Sequence, residues 1–225
     1  MDKAVDMRET GELDKSRKLF ESLVKEVSVL LRRNSTDKLK NLYIQVMDEY
    51  VIQHRLEAKK SYNKALDFGK KLLEFDKKYN IHNPSSYRSV SNVLINLGSF
   101  EESVGYLKKV VDLYKGNSGR QGDALSHLAY CYLRSGNVVK ADELINDALK
   151  KIKKNTKNEK YVSVWLSRAL MFRSYILFAQ GDIKEALKHS KRALKVAEEN
   201  KLPIRIKQGK DLVNFLQSEV HIGSF

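Results

Sequence analysis

The run LAYCYLRSGNVVKADELINDAL, Leu128–Leu149, decides how the rest of this chain is read. A small residue, Ala129, opens an apolar stretch that closes on Gly136. Val138 follows two positions after the glycine and Ala141 five after it. A glycine at the end of an apolar run is the residue that closes a helix in the left-handed conformation. The residues beyond it then start a second helix. Small residues at 129 and 141 let the two backbones approach where they cross, while Leu128, Tyr132, Ile145 and Ala148 fill the joint. The run therefore predicts two helices folded back on each other.

The same series recurs on either side. SNVLINLGSFEESVGYLKKVV, Ser91–Val111, carries Ser91, Gly98, Phe100 and Ser103 in the same phase. SYILFAQGDIKEALKHSKRAL, Ser174–Leu194, carries Ser174, Gly181, Ile183 and Ala186. Leu94, Leu107 and Val110 are the expected packing residues of the first, and Leu177, Ala193 and Leu194 those of the second. Two worn units precede these. One has Gly11, Leu13, Ser16, Phe20 and Leu23 in phase, with its first helix cut to residues 1–9. The other has Lys60 where glycine is expected, followed by Tyr62, Ala65, Gly69 and Leu72. After Pro203 an amphipathic run with Ile206, Leu212, Phe215 and Leu216 on its inward side reads as a terminal cap, which a stack of repeats needs for its last apolar face.

The Leu128–Leu149 run resembles a tetratricopeptide repeat, and AQGDIKEALKHSKRAL resembles the second half of another. The resemblance is specific at Gly136, Ala141 and Ala148 and again at Gly181, Ala186 and Ala193; at the Gly98 unit, Ser103 and Val110 replace the usual alanines. It implies an all-α fold, a right-handed α-solenoid of antiparallel helix pairs forming one repeat domain over 1–225. Within it the units are expected at 1–33, 36–79, 84–117, 122–155 and 167–200, with a capping helix at 204–220. Turn-to-turn spacings exceed the roughly 34 residues usual for such repeats. The excess falls at Arg33–Asp37, Asn80–Ser86, Lys115–Gly122 and Lys154–Tyr161, which predicts longer helices or extended connectors. GNSGRQG, Gly116–Gly122, reads as one such flexible connector.

Composition narrows the function classes. The chain is 42% hydrophobic and 31% charged with only two prolines, Pro84 and Pro203, which suits helices better than a turn-rich β architecture. No run of consecutive apolar residues reaches the roughly 18 of a membrane span, so no membrane partner is expected. The N-terminal MDKAVDMRETGELDKS alternates in charge and lacks the apolar core of an export signal. Cys131 is the single cysteine. These features lead to a cytoplasmic expectation.

No catalytic constellation emerges, so a non-enzymatic chain without cofactor is expected. The five histidines, His54, His82, His127, His189 and His221, form no pair at metal-binding helical spacing, and nucleotide-loop and nucleophile-elbow motifs are missing. Cys131 reads as a small core residue of the first helix rather than a nucleophile.

The resemblance places partner binding on the first helices of the pairs, which line the inner groove. Helical spacing from the turn glycines selects Arg88, Asn92 and Asn96; then Asp123, His127, Tyr130 and Arg134; then Arg168, Phe172 and Tyr175. Upstream, Tyr50 and His54 would continue the surface, and Phe178 is expected to pack the next helix. Asparagine offers both donors and acceptor to a peptide backbone, arginine suits a carboxylate, and the rings supply apolar contact. A terminal-carboxylate clamp of the kind found in tetratricopeptide cochaperones would use Arg88, Asn92, His127, Arg168 and Phe172, of which His127 and Phe172 depart from the pattern. The implied role is a protein- or peptide-binding scaffold, with a sensing or regulatory module as its sharper form.

The net charge of +14 supports a second expectation, a nucleic-acid partner. Lys184, Lys188, Lys191, Arg192 and Lys195 recur every three or four residues and would form a cationic stripe for phosphates, although no aromatics interleave with them for base stacking. A homodimer through the uncapped first unit, whose leading helix is short, is a further expectation.

Overall fold

The computed structural model describes residues 1–56, 61–155 and 161–222. Lys60, the expected turn of the second worn unit, lies outside the described residues. Among these residues there are eleven α-helices and no strand: α1 Asp2–Glu9, α2 Leu13–Arg33, α3 Asp37–Leu56, α4 Tyr62–Lys78, α5 Pro84–Leu97, α6 Phe100–Leu113, α7 Ser118–Arg134, α8 Val138–Lys153, α9 Val162–Ala179, α10 Ile183–Glu199 and α11 Pro203–Ile222. They form two compact units, Met1–Leu113 and Tyr114–Phe225.

Four turns share one geometry. At Gly136, with φ +83°, the Gly136 N–H donates to Leu133 O at 3.0 Å and the Asn137 N–H to Tyr132 O at 2.8 Å. This pair of bonds satisfies the last carbonyls of α7 and turns the chain back within two residues. The same pair closes α1 at Gly11, α5 at Gly98 and α9 at Gly181. The following helix is then capped where a suitable side chain is present. Asn137 accepts from Lys140 N at 3.0 Å and Asp182 from Glu185 N at 3.1 Å, each a cap of roughly 1 kcal/mol.

Small residues hold the crossings together with hydrogen bonds as well as with close packing. Ser16 Oγ donates to Ala4 O at 2.7 Å, Ser103 Oγ to Ser91 O at 3.0 Å and Ser174 Oγ to Ala186 O at 2.7 Å. Each bond spans twelve residues across a helix pair. Serine therefore replaces alanine here without leaving a buried hydroxyl unsatisfied. Around the crossings, Leu94, Leu107, Val110, Leu128, Ile145, Ala148, Leu177 and Ala193 are buried as expected, while Tyr132 and Leu194 are half-buried.

In the first unit α1 to α6 pack in chain order. Short as it is, α1 is secured by Arg8, which donates to Glu49 Oε2 at 2.6 Å and to Glu49 O at 3.3 Å on α3. Ala4 and Val5 then pack on Phe20 and Tyr50. Past the reach of α1, Val29 and Leu30 on α2 stay exposed.

In the second unit α9 is the helix that, among the described residues, is long and apolar enough to cross a membrane by length and composition. Here it is a core helix. Trp165, Ala169, Leu170, Met171, Ile176 and Leu177 are buried against α7, α8, α10 and α11. Its two arginines are both paired, Arg168 with Asp123 and Arg173 with Asp142.

The GNSGRQG stretch departs from the expected connector. Only Gly116 and Asn117 connect; Asn117 accepts from Arg120 N at 3.1 Å and caps α7, which already runs from Ser118. The glycines continue into the helix because α8 passes against it. A Cβ at Gly122 would stand 2.8 Å from both Ala148 O and Ile152 Cγ1. The long spacing between repeats is thus partly taken up by extra helix, with α7 of 17 residues and α9 of 18.

Two substitutions test this packing. Gly122→Ala forces backbone to move and is expected to destabilise the fold by about 1–3 kcal/mol. Gly105→Ala lies inside α6 with nothing within 4 Å of the added methyl. It is expected to stabilise by about 0.5–1 kcal/mol, because the unfolded chain loses freedom. Urea melts followed by helical circular dichroism read both changes, and equal effects would refute the close approach of α7 and α8.

Candidate functional site

The residues selected from helical spacing divide between the two units, and each unit treats them differently. In the first unit Tyr50 and His54 are buried, at 4% and 2% exposure, and do not form an open surface. Phe68 from α4 is the reason. Its ring stacks on His54 at 5.8 Å and tilts against Tyr50 at 5.2 Å, making a core contact between α3 and α4. Tyr50 also donates its hydroxyl to Glu21 Oε1 at 3.2 Å. Asn92 is buried as well, and its Oδ1 has no hydrogen-bond partner among the described residues. Asn96, one turn on, is exposed and donates to Asn92 O at 3.0 Å. Arg88, one turn before Asn92, is half-buried. Of the selected residues in this unit, Asn96 and in part Arg88 reach the surface, and the pair on α3 does not.

The second unit brings its selected residues together. α7 contributes Asp123, His127, Tyr130 and Arg134 at spacings of three and four; α9 runs beside it with Arg168, Phe172 and Tyr175. At the buried end, Arg168 Nη1 donates to Asp123 Oδ1 at 3.2 Å and stands 2.6 Å from His127 Nε2. A guanidinium can only donate. This geometry therefore makes Nε2 the acceptor and puts the ring proton on Nδ1. Asp123 is fully buried, so the arginine serves here to satisfy an internal carboxylate. That arrangement does not suit a terminal-carboxylate clamp, because the arginine that would grip the ligand is already committed within the fold.

Toward the open end the surface becomes aromatic. Phe172 meets His127 edge-on at 5.6 Å and stacks on Tyr130 at 4.5 Å with 15° between the planes. Tyr130 approaches Tyr175 at 6.2 Å. Arg134 Nη1 donates to the Tyr130 hydroxyl at 2.9 Å and its guanidinium lies 5.8 Å from that ring. Tyr175 is 36% exposed, and Arg134 is exposed beside it. Burial pushes the Tyr175 hydroxyl above its ordinary range. Tyr130 and Asp211 add to the rise and Arg134 opposes it.

The row then continues to α11. Phe178, one turn beyond Tyr175, packs edge-on against Phe215 at 5.3 Å, and Phe215 is 45% exposed. Phe178 thus packs the next helix, as expected. Phe215, read from sequence as an inward cap residue, instead extends the exposed ring row; its helical phase alone could not separate these roles.

The basic stripe occupies a different helix. Lys184, Lys188, Lys191, Arg192 and Lys195 are all exposed on α10, opposite the buried Ala186, Ser190, Ala193 and Ala197. Two are paired within the helix, Lys188 with Glu185 at 3.0 Å and Lys195 with Glu199 at 3.9 Å. Cys131 is fully buried.

Comparison with known proteins bears on the fold. Residues 167–200 match the tetratricopeptide repeat family. No curated protein matches the chain in sequence. Among solved structures, BtubC (BKLC) from P. vanneervenii is similar with a TM-score of 0.63 at 11% identity, over 95% of this chain and 93% of that one. A Podosopora anserina protein with nearly identical TPR-like repeats, described as a putative kinesin light chain, gives 0.58 at 16% identity over 88% and 93%. A thermophilic TPR protein of Thermus thermophilus gives 0.55 at 17% identity over 92% and 94%. At these identities the likeness is one of fold. The chain therefore has an all-α, tetratricopeptide-like fold, and residues 167–200 match the repeat family itself.

Proposed function

We propose that the chain is a non-enzymatic scaffold that binds a peptide or protein segment on the first helices of its repeats, as a sensing or regulatory module would. The observation that carries this reading is the ring row of the second unit. Tyr130, Phe172 and Tyr175 lie side by side on α7 and α9, with Arg134 exposed at their edge. Aromatic side chains left at a surface offer a large contact area at little loss of rotamer entropy. The tetratricopeptide-like fold supports the same reading, since it presents these helices as a scaffold for other proteins.

Selection of a random dodecapeptide library on the full chain tests it. Enriched peptides are expected to lose about tenfold or more in affinity on combined Tyr175→Ala and Arg134→Ala, a loss in the range of interface hot spots. Equal binding to the doubly substituted chain, with its helical melt unchanged, would remove this surface as the site.

A second reading rests on charge. Residues 114–225 hold 21 of the 42 Lys and Arg but only 11 of the 28 Asp and Glu, and the α10 stripe is exposed. Under that reading, single-stranded RNA or DNA would be retained in a gel shift at low salt. Retention would fall steeply by about 200 mM salt and vanish on reversing Lys184, Lys188, Lys191 and Lys195 to Glu. No retention at low salt rejects it.

A further inference from the structure

The first unit leaves a stretch of apolar helix uncovered. α2 runs for 21 residues and α1 for 8, about 31 Å of helix against about 12 Å. On α2, positions 19, 23, 26, 30 and 33 are spaced by four and three, so they form one stripe. At its beginning Leu19 and Leu23 are half-buried against the cluster of Ala4, Val5, Phe20 and Tyr50. Farther along, α1 no longer reaches. Leu30 is 46% exposed there, and Val29 beside it is 44% exposed. Glu26 and Arg33, both exposed, lie on the stripe on either side of Leu30. Glu26 accepts from Ser22 Oγ at 3.0 Å, one turn back on the same helix. Among the described residues, neither Glu26 nor Arg33 belongs to an ion pair. Seven residues, ~10.5 Å along the axis, keep them from pairing with each other.

We infer that this face of α2 takes a second copy of the chain, with the two α2 helices antiparallel across a two-fold axis. Positions 26 and 33 lie equally far from the midpoint between 29 and 30. An axis through that midpoint sets Glu26 of each copy opposite Arg33 of the other, while Val29 and Leu30 of both copies meet at the centre. A two-fold interface must be complementary to itself, and here the sign of the charge reverses across the axis. Leu30 and Val29 alone would serve any apolar partner. The oppositely charged residues at equal distances are what commit the face to its own copy. The apolar centre supplies the burial, and the two ion pairs fix the orientation and register more than the affinity. The homodimer expected from the short leading helix thereby gains a definite surface. The contact uses no residue of the ring row, which belongs to the other unit.

Sedimentation velocity on the full chain, from about 1 µM to about 300 µM, tests this association. One helix from each copy makes a contact at the small end of protein interfaces, so a weak dimer is expected. The mass is expected to rise with concentration from 25.9 kDa toward twice that value. Leu30→Glu is expected to weaken association about tenfold or more. Its helical melt stays unchanged, because the side chain is exposed. Glu26→Arg and Arg33→Glu, each alone, set like charges opposite one another and also weaken the dimer. Combining them in one chain restores it, since every pair is then reversed. An equimolar mixture of the two singly substituted chains associates as well, as a mixed dimer in which both pairs have opposite signs.

A chain that stays monomeric over the whole range would overturn the inference. A dimer left intact by Leu30→Glu would overturn it too, because the contact would then lie on another surface. The same holds if the single charge reversals weaken the dimer but neither the doubly reversed chain nor the mixture recovers it, since the copies would not be antiparallel. Tyr175→Ala with Arg134→Ala is expected to leave the dimer unchanged. The scaffold reading and the self-association therefore stand or fall separately.

Discussion

Four helix pairs of this protein depend on one constraint: the chain must reverse within two residues while two helices cross closely enough for their backbones to approach. Glycine in the left-handed conformation makes the reversal possible at Gly11, Gly98, Gly136 and Gly181. A small residue seven positions before it and another five after it make the crossing possible. The serine hydroxyls that reach across to a backbone carbonyl at three of these crossings make the constraint chemical as well as steric. A larger side chain at Ser103 or Ala141 would separate the helices and misalign everything stacked on them. The surface on α7 and α9 is a consequence, because its residues are placed by their distance from Gly136 and Gly181.

That dependence explains what was legible in the sequence. The turn glycines and small residues repeat at fixed offsets, so the helix pairs, their crossings and most of their core residues follow from spacing. GNSGRQG misled because its composition is that of a loop. The close passage of α8 past Gly122, which gives the glycines their purpose, is a tertiary contact with no local signature. Helical phase alone places Tyr50 and His54 on a surface. What buries them is Phe68, supplied by the next helix.

The charged groups of the site show the same division. Spacing selects Asp123, His127 and Arg168 only as positions on the first helices of their pairs, and the fold brings them together. It could not reveal that residues 41 and 45 positions apart close on one another and withdraw the arginine from the surface. Pairing of this kind decides whether a cation is a recognition element or part of the scaffold, and only the folded arrangement of neighbouring helices specifies it. The result is a surface whose inner end is charge-compensated and whose open end offers rings beside Arg134. That is a chemistry of apolar contact with one ionic mark, distinct from the all-polar grip of a carboxylate clamp. The lysines of α10 lie on another helix and carry most of the case for a polyanion partner.

The two functional readings therefore predict contact at different helices, and amide hydrogen exchange of the full chain with and without an enriched peptide measures which is used. Ligand at the ring row predicts slowed exchange at the ends of α7 and α9 around 130–134 and 172–178, with α10 unchanged. Slowed exchange confined to α10 around 184–195, with α7 and α9 unaffected, would contradict the account.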